Sequence, residues 1–301
     1  MSAPKTLPLA VAQYDIGQPR RWDDFAVKLA DWVARGAEGG ARLLVFPEYG
    51  AMELTALFAP DVQRSLPAQL EAMQALVEPY VALHRELARR HGVYLLAASL
   101  PVRVASGEYR NRAHLFGPSG AQGHQDKLQM TRFENERWGI SPGAEQRVFV
   151  TPLGRLAVAV CYDSEFPLLV RRLVEHGAEV LLVPSCTDTL AGYHRVRLSC
   201  QARALENQCF AALAPTVGMA EWSLAVDENH GAGGIYAPVE AGLAEEGIVA
   251  QGVLDQPGWV RATLNLDWLR RARQEGQVFN HRDWPGQHRL NSQPVTEIPL
   301  E

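Results

Sequence analysis

Apolar residues along this chain fall into two alternating rhythms. Short, mostly apolar runs occupy residues 7–13, 43–46, 93–100, 155–160, 180–183 and 209–214, set off by polar or glycine-containing segments. Runs of that length read as strands with little exposure on either face. Between several of them, apolar positions recur at helical spacing. Asp23 and Asp24 head a segment in which Phe25, Leu29, Trp32 and Val33 share one helix face, and Gly36, Gly39 and Gly40 end it. A long helix is predicted over 71–91, closed by Gly92, with two more over 167–176 and 192–208. Residues 111–116 and 120–127 read as strands joined through Gly117, Pro118, Ser119 and Gly120, and the glycine-rich stretch 229–252 is expected to hold hairpins. The alternation predicts an α/β protein.

Residues 277–301 carry Asn, Pro and Gln with little periodicity, which predicts an extended or partly mobile tail. No repeat, low-complexity tract or linker interrupts the rest, so one domain over 1–275 and a tail over 276–301 are expected. A chain of 301 residues can bury about three quarters of its unfolded surface, enough for one such domain. Its formal charge of -5 leaves no basic excess for nucleic acid. No run of about eighteen apolar residues occurs, and residues 1–8 lack the apolar stretch of a secretory signal, so no membrane partner and a cytoplasmic location are expected. The four cysteines, Cys161, Cys186, Cys200 and Cys209, form no Cys-x-x-Cys pair, which predicts free thiols and no metal site.

Three residues stand at strand ends where chemistry is commonly placed. Cys161 follows the run 156–160 and precedes a predicted helix, so a strand-to-helix turn would hold its thiol at the sheet edge beside backbone N–H groups. A small core cysteine would occupy the same context. Glu48 follows residues 43–47, at the carboxyl end of a buried strand, where partial burial would raise its pKa and make it a general base. Lys127 closes a strand, where an ammonium can steady a negative oxygen or depress a thiol pKa. Taken singly, a loop acid and a solvated lysine describe the last two equally well. Cys186, after Val183-Pro184-Ser185, lies at a strand end by the same topology without a catalytic assignment.

Together, Phe46-Pro47-Glu48, Asp126-Lys127 and Cys161-Tyr162-Asp163 occur in an order that carries more than any one of them. With the segments at 41–49, 151–163 and 201–208, they make the chain resemble the nitrilase superfamily of carbon-nitrogen hydrolases from about residue 7 to about residue 270. The resemblance implies a four-layer αββα sandwich and a Glu48, Lys127, Cys161 triad. It also implies a second glutamate after the lysine. Reading without gaps selects Glu134, which is taken as the second glutamate; aligning Phe133-Glu134-Asn135-Glu136 with the Phe-Asn-Glu of carbamoyl hydrolases would select Glu136 instead.

The implied reaction is hydrolysis of a small linear amide by water through a cysteine thioester, with the oxyanion held by Lys127 and the backbone N–H of Tyr162 and with no cofactor or metal. Tyr162-Asp163 stands where nitrile-cleaving members have Trp-Glu, which favours amides, with N-carbamoyl compounds and nitriles as alternatives. Tyr49, Glu136, Glu165 and His194 are candidate pocket residues. A homodimer or higher homo-oligomer is implied, joined through the helical layer with the tail crossing to the partner. Two other readings are a catalytically silent scaffold homologue, which would be free to lose part of the triad, and a Cys-His-Asn hydrolase using His114, His124 or His194. No papain-like sequence surrounds Cys161 to support the latter.

Overall fold

A computed structural model describes residues 5–300. The first half runs β1 (Thr6–Asp15), α1 (Trp22–Ala37), β2 (Leu43–Val45), α2 (Pro60–Gln63), α3 (Leu66–His91), β3 (Tyr94–Leu96), β4 (Leu100–Arg103), β5 (Tyr109–Phe116) and β6 (Gln122–Asp126). The second runs β7 (Val148–Thr151), β8 (Gly154–Val158), α4 (Pro167–Glu175), β9 (Val180–Ser185), α5 (Leu190–Asn207) and β10 (Phe210–Met219). The hairpin strands β11 (Glu228–Asn229), β12 (Gly234–Tyr236) and β13 (Ile248–Gln251) follow, then β14 (Gly258–Asn265), α6 (Leu266–Glu275) and α7 (Asn280–Asp283). No helix of the described residues is long and apolar enough to cross a membrane.

Along the sheets the strands run β4-β5-β3-β2-β1-β10-β9-β8-β7. The central strands of the two halves meet at the ends of β1 and β10, where Tyr14 pairs with Thr216 and Asp15 with Val217. Strand side chains alternate between faces, and here the alternation separates two cores. Leu9, Val11, Leu43, Val45, Leu96 and Leu115 face inward and share a core with Val158, Leu182 and Leu213 of the other half and with Val170 and Val196 of α4 and α5. Ala10, Ala12, Leu44, Leu95 and Phe116 point the other way, against Phe25, Leu29 and Trp32 of α1 and Met73 and Tyr80 of α3. The layers are helix, sheet, sheet, helix: the expected αββα sandwich.

Several boundaries differ from the expectation, each for a local reason. The predicted strand 93–100 is two strands, β3 and β4. Between them the Ala97 N–H donates to the His114 carbonyl and the Ser99 N–H to the Pro47 carbonyl, so the backbone turns aside to hold the loop after β2. β14 pairs antiparallel with β1 from Thr6↔Asn265 to Gln13↔Gly258; its mixed composition hides it until that partner is known. α6 buries Leu266, Leu269 and Ala272 and is capped by Asn265, whose side chain accepts from Trp268 N. The tail is not simply extended. α7 and a 3₁₀ turn over Trp284–Leu290 fold back on this chain: His281 N–H donates to Gln208 Oε1 at 3.1 Å and Arg171 donates to the His281 carbonyl at 3.0 Å.

α3 also buries an ionisable ring. His84 is fully buried, its Nδ1 is 2.8 Å from the Tyr80 carbonyl, and its Nε2 has no partner. Burial pushes its pKa down from 6.5 to about 4, because a charged ring would lose its hydration. Unfolded chains therefore take up a proton here that the folded chain refuses as pH falls from 6.5 towards 4, and stability drops across that window. Thermal unfolding followed across that range should show wild type losing about 3 kcal/mol more than His84→Leu. Parallel pH profiles for the two proteins would contradict this.

Candidate active site

Three strand ends deliver charged or nucleophilic groups to one buried spot. Past β2, the Phe46 N–H bonds the Leu96 carbonyl, and Pro47 turns the chain so that Glu48 enters the interior, 1% exposed. Thr216 Oγ donates to the Glu48 carbonyl at 2.7 Å and fixes this backbone to β10. The Glu48 side chain accepts from Cys186 N at its Oε2, 3.0 Å away. Tyr49 follows with φ 53°, a left-handed conformation that swings its ring across the site.

Lys127 emerges just past β6, anchored by its N–H on the Asn111 carbonyl of β5. It is 1% exposed, and its ammonium lies 2.8 Å from Glu48 Oε1 and 2.7 Å from Glu134 Oε2. Glu134 opens a π-helical turn, Glu134–Trp138, whose wider winding ends at Gly139 in the left-handed region. Its carboxylate also accepts from Thr131 N and Thr131 Oγ, both at 2.9 Å, and from the Tyr49 hydroxyl at 2.8 Å. Asn111 Nδ2 lies 2.9 Å from Glu48 Oε1 and 3.5 Å from Glu134 Oε1.

Cys161 sits three residues beyond β8 with φ 48°, a conformation that costs an L-residue on the order of 1–2 kcal/mol. A strained turn of this kind holds the thiol out of the sheet. Ser185 Oγ donates to Cys161 Sγ at 3.4 Å, and the thiol reaches the Cys186 carbonyl at 3.8 Å. Asp163 locks the turn to the lysine: its carboxylate accepts from Leu128 N at 3.0 Å, Gln129 N at 2.7 Å and Val160 N at 3.2 Å.

Electrostatics separates the two carboxylates that share one ammonium. Burial raises the Glu48 pKa, and Lys127 only partly offsets it. Burial acts the same way on Glu134, but Lys127 and the Thr131 donors outweigh it and hold that carboxyl below the ordinary range. Burial would favour neutral Lys127, yet Glu134 and Glu48 overcome it and keep the ammonium charged. Burial and the neighbouring Glu48 push the Cys161 thiol well up, against a smaller pull from Lys127. At rest the sulfur is a thiol, the lysine is charged, and Glu48 is the carboxylate with the greater proton affinity.

A cavity of about 310 Å³ opens over these groups, with Tyr49, Phe133, Trp138 and Leu224 on its apolar side. Glu165 and Arg195 also line it and form an ion pair at 3.5 Å. Two expected pocket residues lie elsewhere. His194 is exposed on α5, because the turn that aims Gly192, Arg195 and Val196 at the cavity points residue 194 outward. Glu136 is exposed and bound by Arg132, both contacts at 3.0 Å, so of the two glutamates only Glu134 meets Lys127. His114 and His124 are a cross-strand pair on β5 and β6, and neither lines the cavity. Asn111, Ser185 and Arg195 carry no motif and were not anticipated.

A model of the carbon-nitrogen hydrolase family matches residues 9–249. The chain belongs to the carbon-nitrogen hydrolase family. It is 33% identical over 275 residues to a probable hydrolase, YhcX, of Bacillus subtilis, covering 91% of this chain and 53% of that protein. A deaminated glutathione amidase of Yersinia enterocolitica is 34% identical over 145 residues, 44% of this chain and 51% of the relative. The chain thus spans about half the length of these two relatives. Omega-amidase NIT2 of Mus musculus is 26% identical over 69% of this chain and 74% of its own. Among solved structures, Saccharomyces cerevisiae Nit3 superposes with a TM-score of 0.73 at 19% identity, covering 92% of this chain and 97% of its own. An amidase variant from Nesterenkonia sp. AN1, with acrylamide added at its active-site cysteine, gives 0.65 at 25% identity, covering 92% and 99%.

Asp163 tests how much the site depends on its turn. Three N–H donors converge on its carboxylate, and burial raises its pKa to about 7 in spite of them. Asp163→Asn sets an amide N–H₂ against those donors and should lower stability by about 2 kcal/mol, read as a fall in Tm. An unchanged Tm would show that the three contacts are dispensable.

Proposed function

We propose that this carbon-nitrogen hydrolase cleaves small linear amides through a Cys161 thioester, releasing ammonia or an amine. One observation carries the reading: the Lys127 ammonium sits between Glu48 and Glu134 at 2.8 and 2.7 Å, in a cavity shared with a buried thiol. In the proposed reaction Glu48 takes the thiol proton as sulfur attacks the carbonyl carbon. The oxyanion forms between the Lys127 ammonium and the Tyr162 N–H. Its collapse breaks the C–N bond, and Glu48 returns the proton to the leaving nitrogen. Glu48 then deprotonates water, which attacks the thioester; the acid leaves and the thiol is restored. Glu134 stays ionised and holds the lysine in place.

Amides are preferred over nitriles on two grounds: Tyr162-Asp163 follows the nucleophile, and relatives include proteins named as amidases. The first ground now rests on Tyr162, which lines the cavity, because the Asp163 carboxylate is spent on backbone N–H groups. N-carbamoyl compounds and nitriles are the competing arms of a substrate panel. A silent scaffold has no need of a buried lysine bonded to two carboxylates beside a buried thiol in one cavity. For partners, the proposal is a second copy of this chain. Leu168 on α4 and Leu198 and Leu205 on α5 are exposed at 73%, 55% and 44%, on the helical layer named by the resemblance.

Cys161→Ala should abolish ammonia release from a panel of amides, carbamoyl amino acids and nitriles at unchanged Tm; retained turnover would sink the mechanism. Glu134→Gln should lower kcat/KM by about a hundredfold or more, with Glu136→Gln within about twofold of wild type. Because the base must be ionised and its pKa is raised, kcat/KM should fall with decreasing pH at a midpoint above the ordinary glutamate value of 4.5. Light scattering at micromolar concentration should give at least a dimer, and a monomer would remove the second copy from the proposal.

A further inference from the structure

Asn111 stands behind the proposed catalytic groups rather than in the cavity they line. It is on β5, fully buried, on the strand face directed between the sheets, and its own carbonyl accepts from Lys127 N. Its amide nitrogen bridges the oxygens of both carboxylates that flank the ammonium, at 2.9 Å from Glu48 and 3.5 Å from Glu134. Glu48 Oε1 thus receives two donors, Lys127 and Asn111, and Oε2 receives Cys186 N. The amide oxygen of Asn111 has no partner, so the polar contacts of this buried side chain are those its nitrogen donates.

From this geometry we infer that Asn111 is a positioning residue: its amide clamps Glu48 and Glu134 about Lys127 and keeps Glu48 ionised and aimed at the Cys161 thiol. Two buried carboxylates this close repel each other, and one ammonium cannot bond all four of their oxygens. A neutral donor between them relieves the repulsion and adds no charge to disturb Lys127. The groups that face Glu48 are Lys127 beyond β6, Glu134 on the π-turn, Tyr49 of its own loop, Cys161 after β8 and Cys186 after β9. Beside them Asn111 adds an uncharged amide donor to Glu48, at 2.9 Å. Removing it leaves the carboxylate anion less stabilised, so Glu48 binds its proton more readily.

The inference rests on the proposed roles of Glu48 and Cys161, and the two are separable in one experiment. Iodoacetamide alkylation, mapped by peptide mass, measures the reactivity of each cysteine against pH without need of the physiological substrate. In wild type, Cys161 should react before Cys186, Cys200 and Cys209; preferential labelling of another cysteine overturns the proposed function. In Asn111→Leu, which keeps much of the volume and removes the donor, the acid limb of Cys161 alkylation should move to higher pH and the rate at neutral pH should fall about tenfold or more. Asn111→Ala should move the limb in the same direction. Cys161-first labelling with wild-type and variant limbs superimposed overturns the Asn111 inference alone. Circular dichroism decides whether the variants are folded; if neither folds, Asn111 is a structural residue and the inference falls.

Discussion

A lysine ammonium with no access to water needs its charge balanced where it sits. Lys127 is 1% exposed and carries that requirement into the space between the two sheets. Stripping an ion of its hydration costs several kcal/mol even after the protein relaxes, and removing one partner of a buried pair commonly costs 3–5 kcal/mol. Glu48 and Glu134 meet the requirement together, one from the loop after β2 and the other from a π-turn after β6. The ion cluster is therefore a constraint on folding as much as an instrument of chemistry. Tyr49, Thr131, Asn111 and the Cys186 N–H complete the hydrogen bonds that the carboxylates still lack.

That constraint explains features of the fold that look incidental on their own. Breaking the predicted strand 93–100 frees Ser99 to bond the loop that carries Glu48: its N–H donates to the Pro47 carbonyl and its hydroxyl accepts from Tyr49 N at 2.9 Å. Among the described residues, two of the four non-glycine positions with positive φ, Tyr49 and Cys161, lie in the site itself. Each accepts backbone strain in return for a direction that regular structure would deny its side chain. Asp163 then couples the Cys161 turn to the backbone just past Lys127, so the sulfur and the ammonium are held in one frame.

Much of this was legible in the sequence, and what escaped has a common cause. The strands that deliver Glu48, Lys127 and Cys161 are short apolar runs with the key residue just beyond, a local signal. β14 and α6 escaped because their patterns are interpretable only against β1 and the cap at Asn265. Spacing along the chain left Glu134 and Glu136 both open, since two residues in a helical turn face different ways and the winding of that turn is itself set by tertiary contacts. His194 was misplaced for the same reason: the α5 boundary was nearly right, but rotation about the helix axis is fixed by packing. Asn111 read as an ordinary strand residue until pairing of β5 with β6 set it beside Lys127.

In the proposed resting state, with the thiol protonated and both carboxylates ionised, the four groups hold a net charge of minus one. A free thiolate formed without a nearby acceptor would raise the buried charge to minus two, which explains why burial and Glu48 hold the proton on sulfur. Passing that proton to Glu48 leaves the total unchanged. The negative charge moves from carboxylate to sulfur and then to the carbonyl oxygen, and in the proposed reaction it finishes on the oxygen facing Lys127. A resting thiolate would spend the ammonium before substrate arrived. In the proposed reaction, a thiol beside an ionised carboxylate would leave that ammonium free to stabilise the oxyanion, accelerating the step instead of stabilising the ground state.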